Sequence, residues 1–233
     1  MDGAWSYQLD KLDSAEAADR LALHLSRVIE KVLAAIPSDD RVAAGTKLVG
    51  ELIVQALHDK HAFLKGDIPE ASGHLLMQLV KRRPDGSAAF VESPVVPLLD
   101  TALMTNAPGE PRLGAQLISE IPSADSIDLI MAFIRRSGIA PMREALTQHL
   151  ASGKSLRVLT TTYTGSTEPA ALEDMKGMGA QIRISYDTSA TRLHAKAWVF
   201  HRLNGFSTGY IGSSNLTHSA QVQGLEWNLR VSA

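Results

Sequence analysis

The period of the hydrophobic positions changes partway along the chain. From Ser14 to about Ile36 the apolar residues Leu21, Leu25, Val28, Ile29, Val32 and Leu33 recur at helical spacing, with Ser14 placed to cap the helix and acidic residues behind it. Pro37, Ser38, Asp39 and Asp40 stop that helix and open a second over about 41–58, with apolar positions Val42, Leu48, Leu52, Ile53 and Ala56. Segment 59–73 reads as a loop. A third helix is predicted near 73–82, ending at Lys81, Arg82, Arg83 and Pro84, and Pro84–Ser87 is turn chemistry. Segment 94–113 carries prolines at 94, 97, 108 and 111 around a short helical piece at Leu98–Met104.

Beyond this the pattern alternates. Asp128–Ile134, Leu156–Thr162 and Gln181–Ser185 read as strands, separated by helices over Ala140–Leu150, with Pro141 in the first turn, and Glu168–Met178. Strand–helix alternation of this length indicates an α/β layer with parallel strands. Leu193–His201 and Ser207–Ile211 then form a pair of strands joined across Asn204-Gly205, a tight-hairpin signal. A short helix at 215–221 and a last strand, Leu225–Val231, complete the chain. The expected organisation is a helical segment over 1–94 and an α/β domain over 95–233.

Composition narrows the function classes. The 233 residues are 45% hydrophobic and 21% charged, which is globular composition. The chain has no cysteine, which excludes disulfides, thiolate metal sites and a cysteine nucleophile, and fits a cytoplasmic setting. No apolar run is long enough to span a membrane, and the first residues do not form a secretory signal. Residues 1–121 hold 12 Lys and Arg against 17 Asp and Glu, while 122–233 hold 11 against 8, so a polyanion would meet the back half. His58 and His61 stand three apart on a helix but make a poor metal site. Trp5, Trp198 and Trp227 read as packing residues.

The chemistry concentrates near the C-terminus. His194 and Lys196 stand two apart on a predicted strand, so both project from one face. Two such side chains are costly to bury unless an anion lies between them. The next strand ends in Gly212, Ser213, Ser214 and Asn215, where small residues permit close backbone approach and hydroxyls plus a helix start form an anion cradle. In the last strand Glu226, Asn228 and Arg230 share a face, so Glu226 can join the polar cluster and orient the imidazole. Arg135 and Arg136 follow the first strand of the α/β half, at the sheet end where ligands bind in open α/β folds.

These residues resemble the phospholipase D superfamily, whose signature is His-x-Lys, four residues, an Asp, and a downstream Gly-Ser-x-Asn. His194, Lys196, Gly212, Ser213 and Asn215 match. The signature Asp position is His201, and Glu226, eleven residues after Asn215, fits the Glu that nuclease-type members use. Thr160–Glu168, Ser185–Thr188 and Gly224–Asn228 also look like the nuclease domain at the N-terminus of some bacterial superfamily 2 helicases, including modification-dependent restriction enzymes. The resemblance covers about residues 95–233. It implies a phospholipase-D-like mixed sheet flanked by helices, and metal-independent, cofactor-free cleavage of DNA through a phosphohistidine. His194, Lys196, Asn215 and Glu226 would be catalytic, and Ser213, Ser214 and Arg192 substrate-binding.

The mechanism needs two such motifs per site. His58-Asp59-Lys60 matches by letters only, so a homodimer with two His194 residues face to face is expected. The resemblance implies that a helicase or ATPase domain, in the same polypeptide or complex, delivers the DNA; the chain itself shows no Gly-x-x-x-x-Gly-Lys-Ser/Thr loop. Ala233 follows directly on the Glu226 strand, as expected of a fragment of a longer polypeptide. Two other readings stand beside this one: a catalytically silent nucleic-acid-binding or dimerisation module, and a phospholipid phosphodiesterase or transferase.

Overall fold

A computed structural model describes residues 13–15, 17–57, 77, 85–87, 96–190, 192–203 and 205–232. The predicted third helix near 73–82, apart from Met77, the His58 to His61 cluster, the Lys81–Arg83 run and Trp5 lie outside these residues. The chain divides into two compact units, Met1–His74 and Leu75–Ala233. The boundary at 94/95 expected from the sequence falls at the edge of residues 88–95, which are also outside the described set.

In the first unit α1 (Ala17–Ala35) and α2 (Arg41–Leu57) occupy the two predicted helices. Arg41 closes the turn between them by donating from its guanidinium to the Ile36 carbonyl at 3.0 Å and the Ala34 carbonyl at 3.3 Å. That satisfies C-terminal carbonyls which have no partner inside α1. The helices touch where Gly45 faces Leu33. Leu21, Leu25, Val28 and Val32, the stripe that set the helical period, stay exposed.

The second unit is built on a seven-stranded sheet in the order β1-β7-β6-β5-β2-β3-β4. Its strands are β1 (Ala102–Met104), β2 (Ser126–Met131), β3 (Ser155–Thr161), β4 (Gln181–Ser185), β5 (Lys196–His201), β6 (Thr208–Gly212) and β7 (Asn228–Ser232). β2, β3 and β4 are parallel, as the strand–helix alternation required, and every other pairing is antiparallel. The helices are α3 (Leu113–Glu120), α4 (Arg136–Ile139), α5 (Arg143–Ala151), α6 (Pro169–Met178) and α7 (His218–Val222). The helix expected over 140–150 is α5, which begins at Arg143 after a 3-10 turn holding Pro141, and α4 precedes it as a separate short helix. Gly179 ends α6 at φ +107°, letting the Ala180 N–H reach back to the Met175 carbonyl at 3.0 Å.

One sheet face carries the core. Ile127, Leu129 and Met131 of β2, Leu156 and Val158 of β3, and Trp198 and Phe200 of β5 pack against Leu117 of α3, Leu146 of α5 and Met175 of α6. The alternation of buried and half-buried residues along β2 and β5 is the period-two pattern of strands with one fully covered face.

Three local expectations are corrected. Leu98–Met104 is not helical; its end forms β1, which pairs with β7. α3 begins where the proline-bearing segment 94–113 ends, in a stretch for which the sequence pattern predicted no element. The Asn204-Gly205 turn is not a two-residue hairpin, because β5 ends at His201 and β6 begins at Thr208. The longer connection lets Arg202 turn inward, where its guanidinium donates to the Phe206 carbonyl at 2.8 Å and Thr208 Oγ1 at 3.0 Å.

Candidate active site

Sheet register collects the sequence-predicted residues at one edge. Lys196 opens β5 and stands opposite Met131, the last residue of β2. On its other side Ala197 pairs with Ile211, which puts Lys196 one step from Gly212. Gly212 in turn pairs with Asn228. A Cβ at Gly212 would lie 2.2 Å from the Trp227 carbonyl oxygen and 2.4 Å from Asn228 Oδ1, so only glycine lets β6 and β7 meet there. Beyond the ladder, the Ser213 N–H donates to the Trp227 carbonyl at 2.9 Å, and the Trp227 N–H donates to Ser213 Oγ at 3.0 Å.

The loop carrying Asn215 is fixed from the other side. The Leu216 N–H donates to the Phe133 carbonyl at 3.1 Å and the Arg135 N–H to the Leu216 carbonyl at 2.9 Å. Gly138 allows this contact, since a Cβ there would sit 2.2 Å from the Leu216 oxygen. Asn106, at φ +57°, donates to the Ala220 carbonyl at 2.9 Å and the Gly224 carbonyl at 3.2 Å, tying down the segment that leads to Glu226. α7 begins only at His218, capped by Thr217, so the Gly-Ser-Ser-Asn run does not itself start a helix.

His194 is exposed while Lys196 is buried. Lys196 Nζ donates to the His194 carbonyl at 2.8 Å and sits 3.2 Å from Nδ1 and 3.3 Å from Nε2 of the same imidazole. The ammonium therefore lies across the ring, where an anion beside the imidazole would also meet it. The Phe133 ring packs edge-on against the imidazole, centroids 5.7 Å apart at 68°, which restricts its plane. Burial lowers the Lys196 pKa from its ordinary 10.5, and the Glu226 charge opposes that shift.

The sign of this shift gives a pH expectation. As pH rises through the depressed pKa, the ammonium loses its charge before a solvent-exposed lysine would. Between that pKa and 10.5 the unfolded chain binds more protons than the folded one, so stability rises with pH across that window. Any phosphate binding that uses this ammonium should fall on its alkaline limb while thermal unfolding over the same range shows the protein no less stable. Parallel loss of binding and Tm would contradict this.

Glu226 accepts a short hydrogen bond from Ser213 Oγ. Among the described residues no hydrogen bond joins Glu226 to the His194 imidazole, so its visible connections are to Ser213 and, through charge, to Lys196. The side-chain oxygen of Asn215 is buried with no hydrogen-bond partner among the described residues. An unmet buried polar atom costs about 1–3 kcal/mol, and the amide can present either its oxygen or its nitrogen by a half turn. Ser213 is exposed beside the site. Ser214 is buried, with its Oγ accepting from Asn228 Nδ2 at 2.8 Å and donating to the Ala220 carbonyl at 3.3 Å, so its polar capacity is used inside the protein. Arg192 is exposed, with its guanidinium carbon 5.4 Å from the centroid of the Tyr163 ring.

His201 lies five residues beyond Lys196, hence on the opposite sheet face. There it pairs with Asp128 at 2.9 Å. Arg157 first, then His201, holds the Asp128 carboxyl below its usual range. Arg136 and Arg143 are both bound to Asp174, and Asp187 closes a local turn on Ser189 and Ala190. Among the described residues no group of three or more His, Cys, Asp or Glu could hold a metal ion, and no helix is long and apolar enough to cross a membrane. Phe133 and Tyr163 were not singled out as site residues from sequence: Phe133 read as part of an apolar strand, and Tyr163 entered only as part of the Thr160–Glu168 stretch.

A mixed sheet with His-x-Lys entering one central strand, Gly-Ser-x-Asn leaving the next and a carboxylate just before the third is the arrangement of a phospholipase-D-like domain. The chain belongs to the phospholipase-D-like family described as "Cardiolipin synthase, PLD-like domain", which it matches over residues 117–233. A search of curated proteins returned no match. Among solved structures, the chain is similar to Nuc, a phospholipase D family member from Salmonella typhimurium, at 19% identity over 57% of this chain and 82% of that one, TM-score 0.43. NucT from Helicobacter pylori is 14% identical over 56% of this chain and 84% of that one, TM-score 0.42. Yeast tyrosyl-DNA phosphodiesterase is 10% identical over 56% and 31%, TM-score 0.40.

Proposed function

We propose that the chain is a phosphodiester hydrolase acting on DNA, with His194 as nucleophile. The observation that carries this reading is the buried Lys196 ammonium lying across the exposed His194 imidazole. A phosphate bound there meets a nucleophile, a fixed positive charge and the unmet amide of Asn215 together. In the first step an imidazole nitrogen attacks phosphorus, the bond from phosphorus to the leaving oxygen breaks, and a second imidazolium gives that oxygen a proton. In the second step water attacks phosphorus, the phosphorus–nitrogen bond breaks, and the water proton passes to the second imidazole. Lys196 and Asn215 neutralise the non-bridging oxygens, and Glu226 holds Ser213 while moderating the Lys196 charge.

The second imidazole comes in this reading from His194 of a second copy related by a two-fold axis. His201 cannot serve, because it lies on the opposite face. A helicase-coupled restriction role, with a partner domain delivering DNA, is the biological setting we attach to the site. The family description favours a second reading, transfer of a phosphatidyl group. Both are tested by incubating the protein in EDTA with supercoiled plasmid or with phosphatidylglycerol vesicles, alongside light scattering of the same sample. Nicked plasmid from a dimer is expected. Lipid turnover without nicking would transfer the assignment to the second reading, and an active strict monomer would remove the shared site.

A further inference from the structure

The sheet places a row of rings along its site edge. β5 enters at the C-terminal end of β2, since Lys196 faces Met131, and β2, β3 and β4 run parallel beside it. Successive strand ends therefore carry His194 just before β5, Phe133 just after β2, Tyr163 after β3 and Tyr186 after β4. Neighbouring strands lie roughly 4.8 Å apart. The last two loops are joined, as the Thr162 N–H donates to the Ser185 carbonyl at 3.2 Å.

The two tyrosines have no core role. Tyr186 is 72% exposed, although it follows directly on a strand of the sheet. Tyr163 is half-buried in a turn bent by Thr164 and Gly165, both at φ +63°. Arg192 lies against the Tyr163 ring, and its guanidinium is 3.4 Å from the Tyr163 hydroxyl. It stands two residues before His194, so the two Cα atoms are at most about 7 Å apart. Arg136 and Arg143 are bound to Asp174 and Arg157 to Asp128, whereas Arg192 has no carboxylate partner among the described residues. An exposed ring, Tyr186, and a half-buried one, Tyr163, with a guanidinium against it, at strand ends beside a phosphate site, fit a polyanion whose repeating units have flat faces.

We infer that Tyr163, Tyr186 and Arg192 form a binding tract for an unpaired nucleic-acid strand, leading from His194 across the ends of β3 and β4. The inference rests on the nuclease reading and adds strandedness to it. Each tyrosine stacks on one base and Arg192 contacts the intervening backbone. A duplex cannot use the tract, because its bases already cover one another's faces, so the protein prefers single strands or frayed ends.

The test is fluorescence anisotropy with labelled oligo-dT, an abasic oligomer of equal length and a closed hairpin duplex. Binding is measured in the His194→Ala background to prevent turnover, and cleavage of the same oligo-dT in the wild-type background. Tyr163→Ala and Tyr186→Ala are each expected to raise the Kd for oligo-dT at least about five-fold, and Tyr186→Phe, which keeps the ring, restores it. The abasic oligomer should bind no better than the duplex. Oligo-dT affinity unmoved by both alanine variants, with wild type still cleaving, overturns the tract and leaves the nuclease reading intact. Tyrosine-dependent binding with no cleavage by wild type overturns the nuclease reading and leaves the tract. Failure to bind oligo-dT at all overturns the tract.

Discussion

His194→Ala should abolish phosphodiester cleavage, by roughly 10⁴-fold or more, with little change in stability. The magnitude follows from losing the group that forms the covalent bond, since removing one member of a nucleophilic constellation costs about as much as removing the whole of it. The side chain is exposed, and its contacts are the Lys196 ammonium and the edge of Phe133, so the fold does not depend on it. Lys196→Met should be nearly as inactive for a different reason. The ammonium is desolvated, as the lowered pKa records, and a methionine of similar length removes the charge while filling the same space. A single-turnover assay in EDTA, with Tm measured on the same preparations, reads both expectations. Retention of more than about one-tenth of the activity in His194→Ala would exclude a covalent role for that residue.

Glu120→Gln should be the most destabilising conservative change in the domain, at about 3–5 kcal/mol. Glu120 ends α3, is 4% exposed, and holds two buried guanidiniums, Arg202 and, at 3.3 Å, Arg230. It also accepts from the Tyr210 hydroxyl at 2.7 Å and Thr208 Oγ1 at 3.0 Å. Burial, chiefly, and then the neighbouring carboxylate push the Tyr210 phenol well above its ordinary pKa. One carboxylate thus joins two arginines, a tyrosine and a threonine from three strand regions. Arg230 extends the network by donating to the carbonyls of Asp100 and, at 3.0 Å, Leu98, which anchors the approach to β1. An amide keeps the shape but leaves two buried cations without a counter-charge. Since whole domains are stable by about 5–15 kcal/mol, the variant should unfold at much lower urea with an unchanged m-value. A loss below about 1 kcal/mol would show that the arginines find compensation elsewhere.

The contrast between these two residues shows what was legible in the sequence. His194 and Lys196 are two apart, so they stay neighbours even though the strand predicted from Leu193 begins only at Lys196 and leaves His194 in the loop before it. Gly212, Asn215 and Glu226 follow within 32 residues of His194, and antiparallel neighbours bring them back at predictable register. Glu120 and Arg202 are 82 residues apart, and nothing local marks either as buried. α3 was hidden for a related reason. It is eight residues long, and Pro108, Pro111 and Gly109 before it carry stronger local signals than the spacing of Leu113 and Leu117. β1 has three residues, too few for any period, and is a strand only because β7 is there to pair with it. The hairpin at Asn204-Gly205 failed in the other direction: a strong turn dipeptide was present, but β5 ends at His201 and Arg202 turns inward to the buried Glu120.

The polar face of the last strand was read correctly as a face but not in its burial. Asn228 and Arg230 point into the protein, where their hydrogen bonds are met by Ser214, Tyr210 and Glu120. Only Glu226, before the strand proper begins, remains beside Lys196. Alternation tells which residues share a side; it does not tell which side is covered, because a satisfied polar network can occupy a core position.

The claim beneath all of this is that His194 bonds to phosphorus. It is tested most directly by quenching the protein in alkali during turnover of a phosphodiester and locating any adduct by peptide mass spectrometry. The expected result is an acid-labile adduct on the peptide that carries His194, absent from the His194→Ala variant. Undiminished turnover with no adduct on that peptide would contradict it.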